Sequence, residues 1–340
     1  MCFSEKAVIS VLPSQWSARA CPAPSRPLRL AVLTIALAVA LTGCERKPEP
    51  PLRVGTNTWP GYELLYLAKH LGLYKGKSLD VIRYPSSSDS MTAFRNGLIE
   101  AVAVTLDEAL LLQSEGQRIR LVLLFDFSNG GDVIIGRPGL ESIRDLEMKK
   151  VGVENTALGA YMLTRALEES GMSLDRITIV PLKLNQHEKA YTEKTVDAVV
   201  TFEPVRSRLL EAGGRILFHS GQIPGEIIDV LAVREDVATK RPTLVRRMVR
   251  AYFQAFDYME NNRRESIGYM ARMENIPKDA YTKSLEGIRL IGKDENSRLL
   301  DPANEELVSR LKVLERIMRE KQLLLSDTNP ASLPDGSFVN

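Results

Sequence analysis

Beyond residue 44 this chain has no cysteine; Cys2, Cys21 and Cys44 are all it contains. A body without thiols excludes disulfides, thiolate metal sites and a cysteine nucleophile. It suits an oxidising compartment outside the cytoplasm, where a stray thiol is a liability. Histidine is nearly as scarce: His70, His187 and His219 stand apart, none at metal-ligand spacing from another. With no G-x-S-x-G elbow and no H-E-x-x-H pair, the chain offers no familiar catalytic machinery, and neither a metal nor another cofactor is expected. Runs of lysine or arginine are missing too, so nothing invites nucleic acid.

What is present begins with an apolar run, Leu30 to Cys44 (LAVLTIALAVALTGC), behind Arg19, Arg26 and Arg29. It is shorter than the roughly 20 residues a membrane span needs, and a basic flank, a short apolar core and small closing residues are the parts of a secretory signal peptide. Its ending, Leu41-Thr42-Gly43-Cys44, resembles the lipobox of bacterial lipoproteins. That resemblance implies a diacylglyceryl thioether on Cys44, removal of residues 1–43 and acylation, palmitate included, of the new amino terminus. Residues 44–51 then read as a polar, proline-rich tether that no helix continues through. Residues 1–43 carry +3 of the formal net charge of +2, so the remaining 297 residues are near −1. Nothing beyond the lipid is expected to bind this body to a membrane.

From Leu52 onward, β-branched runs alternate with amphipathic helical patterns, which predicts an α/β fold of parallel sheets with helices on their faces. Strands are expected at 53–55, 80–84, 102–105, 121–126, 133–136, 151–154, 177–182, 198–201, 216–219 and 230–234. After Pro242 the pattern predicts four helices, 244–261, 265–274, 278–286 and 304–321, with no strand between them. An internal echo adds organisation. Val54-Gly55, then Gly61-Tyr62 and Leu64-Leu65, return about 97 to 99 residues later as Val151-Gly152, then Gly159, Tyr161 and Met162-Leu163. Glu100-Ala-Val likewise returns as Asp197-Ala-Val. Two similar αβ lobes joined by a two-stranded hinge account for this: lobe one from 52–136 and, with extra carboxy-terminal helices, 231–325; lobe two from 137–230. The crossings are expected near Gly136 to Gly139 and Ile228 to Leu231, and the polar tail 326–340 is expected to be loose.

Solutes of such sheets bind at the carboxyl ends of the strands, beside helix amino termini. Small polar residues gather there, at Thr56 to Trp59, Ser86 to Asp89, Thr105 to Asp107, Asp126 to Asp132, Glu154 to Gly159 and Thr201 to Pro204. Most serve to cap helices whatever the function. The aromatics Trp59, Tyr62, Tyr161 and Phe202 beside the acids Asp107, Asp126, Asp132 and Glu203 go further, since aromatic faces with a few oriented polar groups make a small-molecule cleft.

Five segments, VGTNTWPGYELLYLAKHLGLY (54–74), FRNGLIEAVAVTLDEALLL (94–112), VGVENTALGAYMLTRALEESGM (151–172), VDAVVTFEPVRSRLL (196–210) and IPGEIIDVLAVREDVATKRP (223–242), make the chain resemble a known family. It is that of the extracytoplasmic solute-binding proteins of ABC importers for nitrate, taurine, aliphatic sulfonates and thiamine-related pyrimidines. The resemblance implies a type II periplasmic-binding-protein fold, a monomer that closes on a small solute and hands it to an ABC permease and its ATPase. By position it places Thr58, Trp59, Ser88, Asp107, Asn129, Asn155, Thr156 and Glu203 around the ligand. The sequence departs from the pyrimidine-binding branch in lacking its cysteine-rich segment, and no arginine waits for a sulfonate or nitrate. Two alternatives stay open. One is a pyrimidine-synthase-like enzyme of the same fold, with pyridoxal phosphate on a lysine beside a histidine. The other is the ligand-binding module of a signalling system.

Overall fold

Two sheets organise the computed structural model, which describes residues 49–74, 78–154 and 156–339. The expectations for residues 1–43, for Cys44, for most of the tether and for Asn155 lie outside the described residues. The strands are β1 (Leu52–Thr56), β2 (Leu79–Arg83), β3 (Ala101–Thr105), β4 (Ile119–Ser128), β5 (Val133–Gly136), β6 (Lys150–Val153), β7 (Thr178–Pro181), β8 (Ala198–Thr201), β9 (Arg215–His219), β10 (Ile228–Arg234) and β11 (Ile288–Leu290). The helices are α1 (Glu63–His70), α2 (Ser87–Arg95), α3 (Leu106–Ser114), α4 (Ala157–Glu169), α5 (Leu184–Thr192), α6 (Val205–Glu211), α7 (Glu235–Lys240), α8 (Pro242–Asn261), α9 (Arg263–Glu274), α10 (Lys278–Glu286), α11 (Lys293–Leu299) and α12 (Glu305–Glu320).

The first sheet runs β11-β4-β10-β3-β1-β2 and the second β7-β6-β8-β5-β9. Leaving β11 aside, both have one plan: three parallel strands, one antiparallel strand, and a fifth. The antiparallel members, β10 and β5, are the strands whose chain has just arrived from the other lobe. Each enters from the cleft end and so runs against its neighbours. The sheets are therefore mixed, where the alternating pattern had predicted parallel ones.

The internal echo is a register identity. Val54 and Gly55 pair with Ala101 and Val102, and 97 positions on, Val151 and Gly152 pair with Ala198 and Val199. The acid that opens each echo explains its place. Glu100 accepts from the backbone N–H of Arg53 at 2.8 Å, and Asp197 from that of Lys150 at 2.9 Å. In each lobe a carboxylate thus takes up the free N–H at the start of the first strand.

Three further expectations are corrected. Val133–Gly136 lies in the second sheet, so the chain leaves lobe one at residues 129–132, ahead of the expected Gly136 to Gly139. It returns between β9 and β10. The carboxy-terminal region holds a strand after all, β11, three residues that pair antiparallel with β4; so short an edge strand leaves no periodicity to read. The tail is docked. Leu333, Phe338 and Val339 are buried, and Leu121 donates its N–H to Leu333 O at 2.7 Å and accepts that of Asp335 at 2.9 Å. Those apolar anchors are spaced too widely among polar residues to register as a pattern.

The other carboxy-terminal helices cover lobe one. α8 opens on Pro242 and buries Leu244, Val245, Met248, Tyr252, Ala255 and Met259, in contact with α1, while α12 lies on α3. Burial of such a stripe, at about 25 cal/mol per Å² of apolar area, holds these helices down.

Candidate ligand-binding cleft

Between the two sheets, at the carboxyl ends of their parallel strands, lies a cavity of about 30 Å³. Lobe one lines it with Asn57, Trp59 and Tyr62 after β1, Ser87 at the start of α2, and Thr105 and Glu108 where β3 turns into α3. Lobe two adds Glu154, Thr156 and Gly159 around the start of α4, His187 from α5, and Thr201 and Phe202 at the end of β8. The crossing strands contribute Asp132, just before β5, and Asp229 in β10.

Local chemistry explains the placements. Pro60 opens a short 3-10 turn behind Trp59, and the turn packs against Asp126: a Cβ on Gly61 would sit 1.8 Å from Asp126 Oδ2. Glycine there lets Trp59 Nε1–H donate to both Asp126 oxygens, at 3.1 and 3.3 Å. Glu108 stands at the third position of α3 and accepts from Thr105 N–H at 3.2 Å and from Ser87 Oγ–H at 2.8 Å. An acid in a first helical turn is favoured by the free N–H groups there.

Two carboxylates face each other across the sheet. Asp229 and Asp126 are directly paired on β10 and β4, both buried, an arrangement that is unfavourable when both are ionised. Tyr62 Oη–H donates to Asp229, and the other oxygen of Asp229 has no donor but the facing Asp126 carboxyl; Asp132 Oδ2 and Asp107 Oδ2 have no hydrogen-bond partner. Burial, reinforced by the charges of Asp126 and Asp132, holds the Asp229 carboxyl far above the ordinary range. Burial also raises Asp132, to about 7, with a further push from Asp107. Asp107, Glu108 and Asp126 are raised mainly by the same loss of water, as is Glu154. His187 moves the other way: burial lowers it to about 4, so it is neutral near pH 7. Its Nδ1 lies 3.2 Å from Thr201 Oγ1 and its Nε2 is unpartnered.

The lobes touch across the cavity. Glu154 Oε1 accepts from Ser88 N–H at 3.0 Å and from Ser88 Oγ–H at 2.7 Å, so an acid of lobe two caps a helix of lobe one. Lys183 pairs with Asp89 at 2.7 Å, and the Trp59 and Phe202 rings meet edge to face at 5.6 Å.

Of the residues marked out in the sequence, Trp59 and Thr156 line the cavity. Ser88 adjoins it through Glu154, and Asp107 is buried beside Glu108. Thr58, Asn129 and Glu203 do not line it. Asn129 stands in a separate depression with Arg206, His219 and Gly287. Glu203 caps its own helix, accepting from Ser207 N–H at 3.1 Å and from Arg206 at 2.8 Å. Sequence reasoning passed over Glu108, which looks like an ordinary capping residue, and His187, which carries no local signal. It also missed Asp229, although an acid inside the apolar run Ile227-Ile228-Asp229-Val230-Leu231 is a usable one.

Fold and cleft together define a two-lobed protein of periplasmic-binding-protein architecture. A model of the NMT1-like family matches residues 45–273, and the chain belongs to that family. It is 26% identical over 248 residues, 67% of this chain and 73% of the relative, to a Brucella abortus protein named provisionally as a binding protein. Similarity to the taurine-binding periplasmic protein of Escherichia coli is 22% over 249 residues, 70% and 78% of the two chains. Among solved structures, the alkanesulfonate-binding protein SsuA of Xanthomonas axonopodis pv. citri, bound to MOPS, superposes with a TM-score of 0.72 at 19% identity, covering 84% of this chain and 98% of that one. An enzyme also takes this fold: the desulfurization enzyme DszB superposes with a TM-score of 0.62 at 17% identity, covering 85% and 97%.

Proposed function

We propose that this protein is an extracytoplasmic solute receptor of an ABC importer, anchored through lipid on Cys44, with residues 1–43 a signal peptide and residues 44–51 a tether. The supporting observation is the cavity itself, roofed by one lobe, floored by the other and crossed by contacts such as Ser88 to Glu154 that can form only when the lobes are together. Its work is binding and closure: a solute that makes contacts only in the closed state shifts the lobes toward it. A cavity of about 30 Å³ requires the lobes to part before a whole solute enters. The binding-protein names carried by relatives agree with this reading. The rival enzyme needs a lysine beside a histidine, and among the described residues the cavity lining includes His187 but no lysine.

A ligand that binds the folded state alone raises its melting temperature. A panel of sulfonates, nitrate, amino acids, pyrimidines and amines is expected to contain at least one compound that does so. A flat response across the panel would count against the receptor. For the anchor, Cys44→Ala is expected to abolish metabolic labelling with fatty acid; undiminished labelling would refute it.

A further inference from the structure

Resting on the receptor reading, we infer that the cleft is built for a solute with a positively charged, hydrogen-donating nitrogen head, a protonated organic amine, in place of a free sulfonate or nitrate. Among the described residues, four carboxylates line the cavity, Glu108, Asp132, Glu154 and Asp229, and no lysine or arginine does. Glu108 and Glu154 are occupied by donors from the protein. Asp132 and Asp229 differ: both are 3% exposed and both line the cavity, Asp132 keeps one oxygen with no hydrogen-bond partner, and the oxygen of Asp229 left free by Tyr62 has no donor but the facing Asp126 carboxyl. A buried acceptor without a donor is costly, and an ammonium group supplies donors and the missing charge together.

The rest of the lining agrees. Trp59, Tyr62 and Phe202 offer ring surface, which attracts a cation through the negative faces of the rings. The cross-strand acids Asp126 and Asp229 can ionise together more readily once a positive charge stands beside them. A free sulfonate or nitrate would bring a second negative charge into a site already short of positive ones. Bare metal ions fit poorly, because no group of three or more potential metal ligands is gathered among the described residues.

The test is titration of the full chain, by calorimetry and thermal shift, with three matched sets at pH 7.5: butylamine, putrescine and agmatine; butanesulfonate and nitrate; and magnesium or calcium chloride. Binding by one or more amines, with none by the anions or metals, is expected. Asp132→Asn is expected to weaken that binding by about 10- to 100-fold, the loss of one charged hydrogen bond. Asp229→Asn, on a different strand, is a second variant, and a melting temperature at or above that of the parent shows that either variant is folded. From pH 8 to 5 amine affinity is expected to fall as Asp107, Glu108, Asp126 and Asp132 take up protons; Glu154 and Asp229 face the same site with carboxyls that burial also raises, while His187 and Tyr62 stay neutral and the amines stay charged. Binding of anions alone, or of metals alone, overturns the inference and leaves the receptor standing. Amine binding that both variants retain in full overturns it as well. Silence from the three sets, with a response elsewhere in the wider panel, refutes the inference alone; silence from every compound removes both.

Discussion

Two clusters of buried acid among the described residues are handled differently. Under α1 and α9, Glu63 is fully buried and bonded at 2.5 Å to Arg83, whose guanidinium lies 4.4 Å over the Tyr66 ring. Glu274, buried nearby, feels the same Arg83 and the repulsion of Glu63; Glu63 Oε2 and both Glu274 oxygens lack a hydrogen-bond partner, so here it is the guanidinium charge and not a full set of donors that offsets the burial. In the cleft, by contrast, the acids face one another, and their donors are the neutral groups of tryptophan, tyrosine, serine and the backbone. Where the chain supplies its own cation, the acid is part of the scaffold. Where it supplies none, the acid stores a cost that a ligand can relieve, and the cost falls on the free protein.

The strongest way to break this comparison is to remove the cation from the first cluster. Arg83→Met is expected to destabilise the protein by about 3 kcal/mol, the low end for leaving a buried partner unpaired, because the Arg83 side chain keeps 21% of its exposure. Burial raises Glu63 to about 7 even with Arg83 present. Without Arg83 its carboxyl takes up a proton, so the loss measured by urea unfolding is expected to be larger at pH 8 than at pH 5. A loss below about 0.5 kcal/mol at both values, as expected of an exposed pair, would put the two clusters in one class.

A smaller effect is expected from Gly61→Ala. The new Cβ collides with Asp126, so either the turn or the acid must move, at a cost of about 1–3 kcal/mol for overpacking. If Asp126 moves, its bond to Trp59 breaks and the Trp59 emission shifts. An unchanged spectrum with unchanged stability would mean that the turn holds neither in place.

How legible this was in the sequence differs between scaffold and site. The ten strand runs and the repeat were readable because both depend on local periods and on residues such as Glu100 and Asp197 whose partners lie at a fixed offset. The crossing point was misplaced because Val133–Gly136 reads as a strand whichever sheet it joins; only pairing to β8 and β9 decides. The cleft was readable as a set of loops, and Trp59 and Thr156 were found in it. Asp126 was legible as a cleft acid, but its pairing with Asp229 was not, because that exists only once an antiparallel strand from the return crossing is laid between β3 and β4.

Removing a cleft charge should do the opposite of removing Arg83. Asp132 sits at about 7 in the folded protein against about 4 in an unfolded chain, so the folded state holds that proton more tightly. Its contribution to stability is complete below about pH 4 and is lost as pH rises through 7. His187 has the other sign: lowered to about 4, it favours the fold fully above about pH 6.5 and loses that contribution as pH falls through 4. Between pH 6.5 and 8 the acids therefore act alone, and the ligand-free protein is expected to lose stability with rising pH. Asp132→Asn is expected to flatten that slope and to gain about 1–2 kcal/mol at pH 8, since each tenfold difference in proton affinity between the folded and unfolded states is worth about 1.4 kcal/mol. A destabilised variant with an unchanged slope would show that the folded protein does not hold the Asp132 proton more tightly than the unfolded chain.

The smallest expected effect concerns the contacts that join the lobes. Ser88→Ala removes one of the two bonds to Glu154 and leaves the backbone N–H donor in place, so the closed state should lose about 1 kcal/mol, a typical hydrogen bond. Because a solute needs the closed state, affinity falls with its population, about fivefold for that energy. Lys183→Ala breaks the other polar bridge, but Lys183 and Asp89 keep 52% and 28% of their side-chain exposure, and a pair so wet is worth about 0.5 kcal/mol or less. Calorimetric titration of both variants with one binding compound gives the order directly. Should Lys183→Ala weaken binding more than Ser88→Ala, closure is governed by the exposed rim, and the buried Glu154 belongs with the scaffold acids instead of with the cleft.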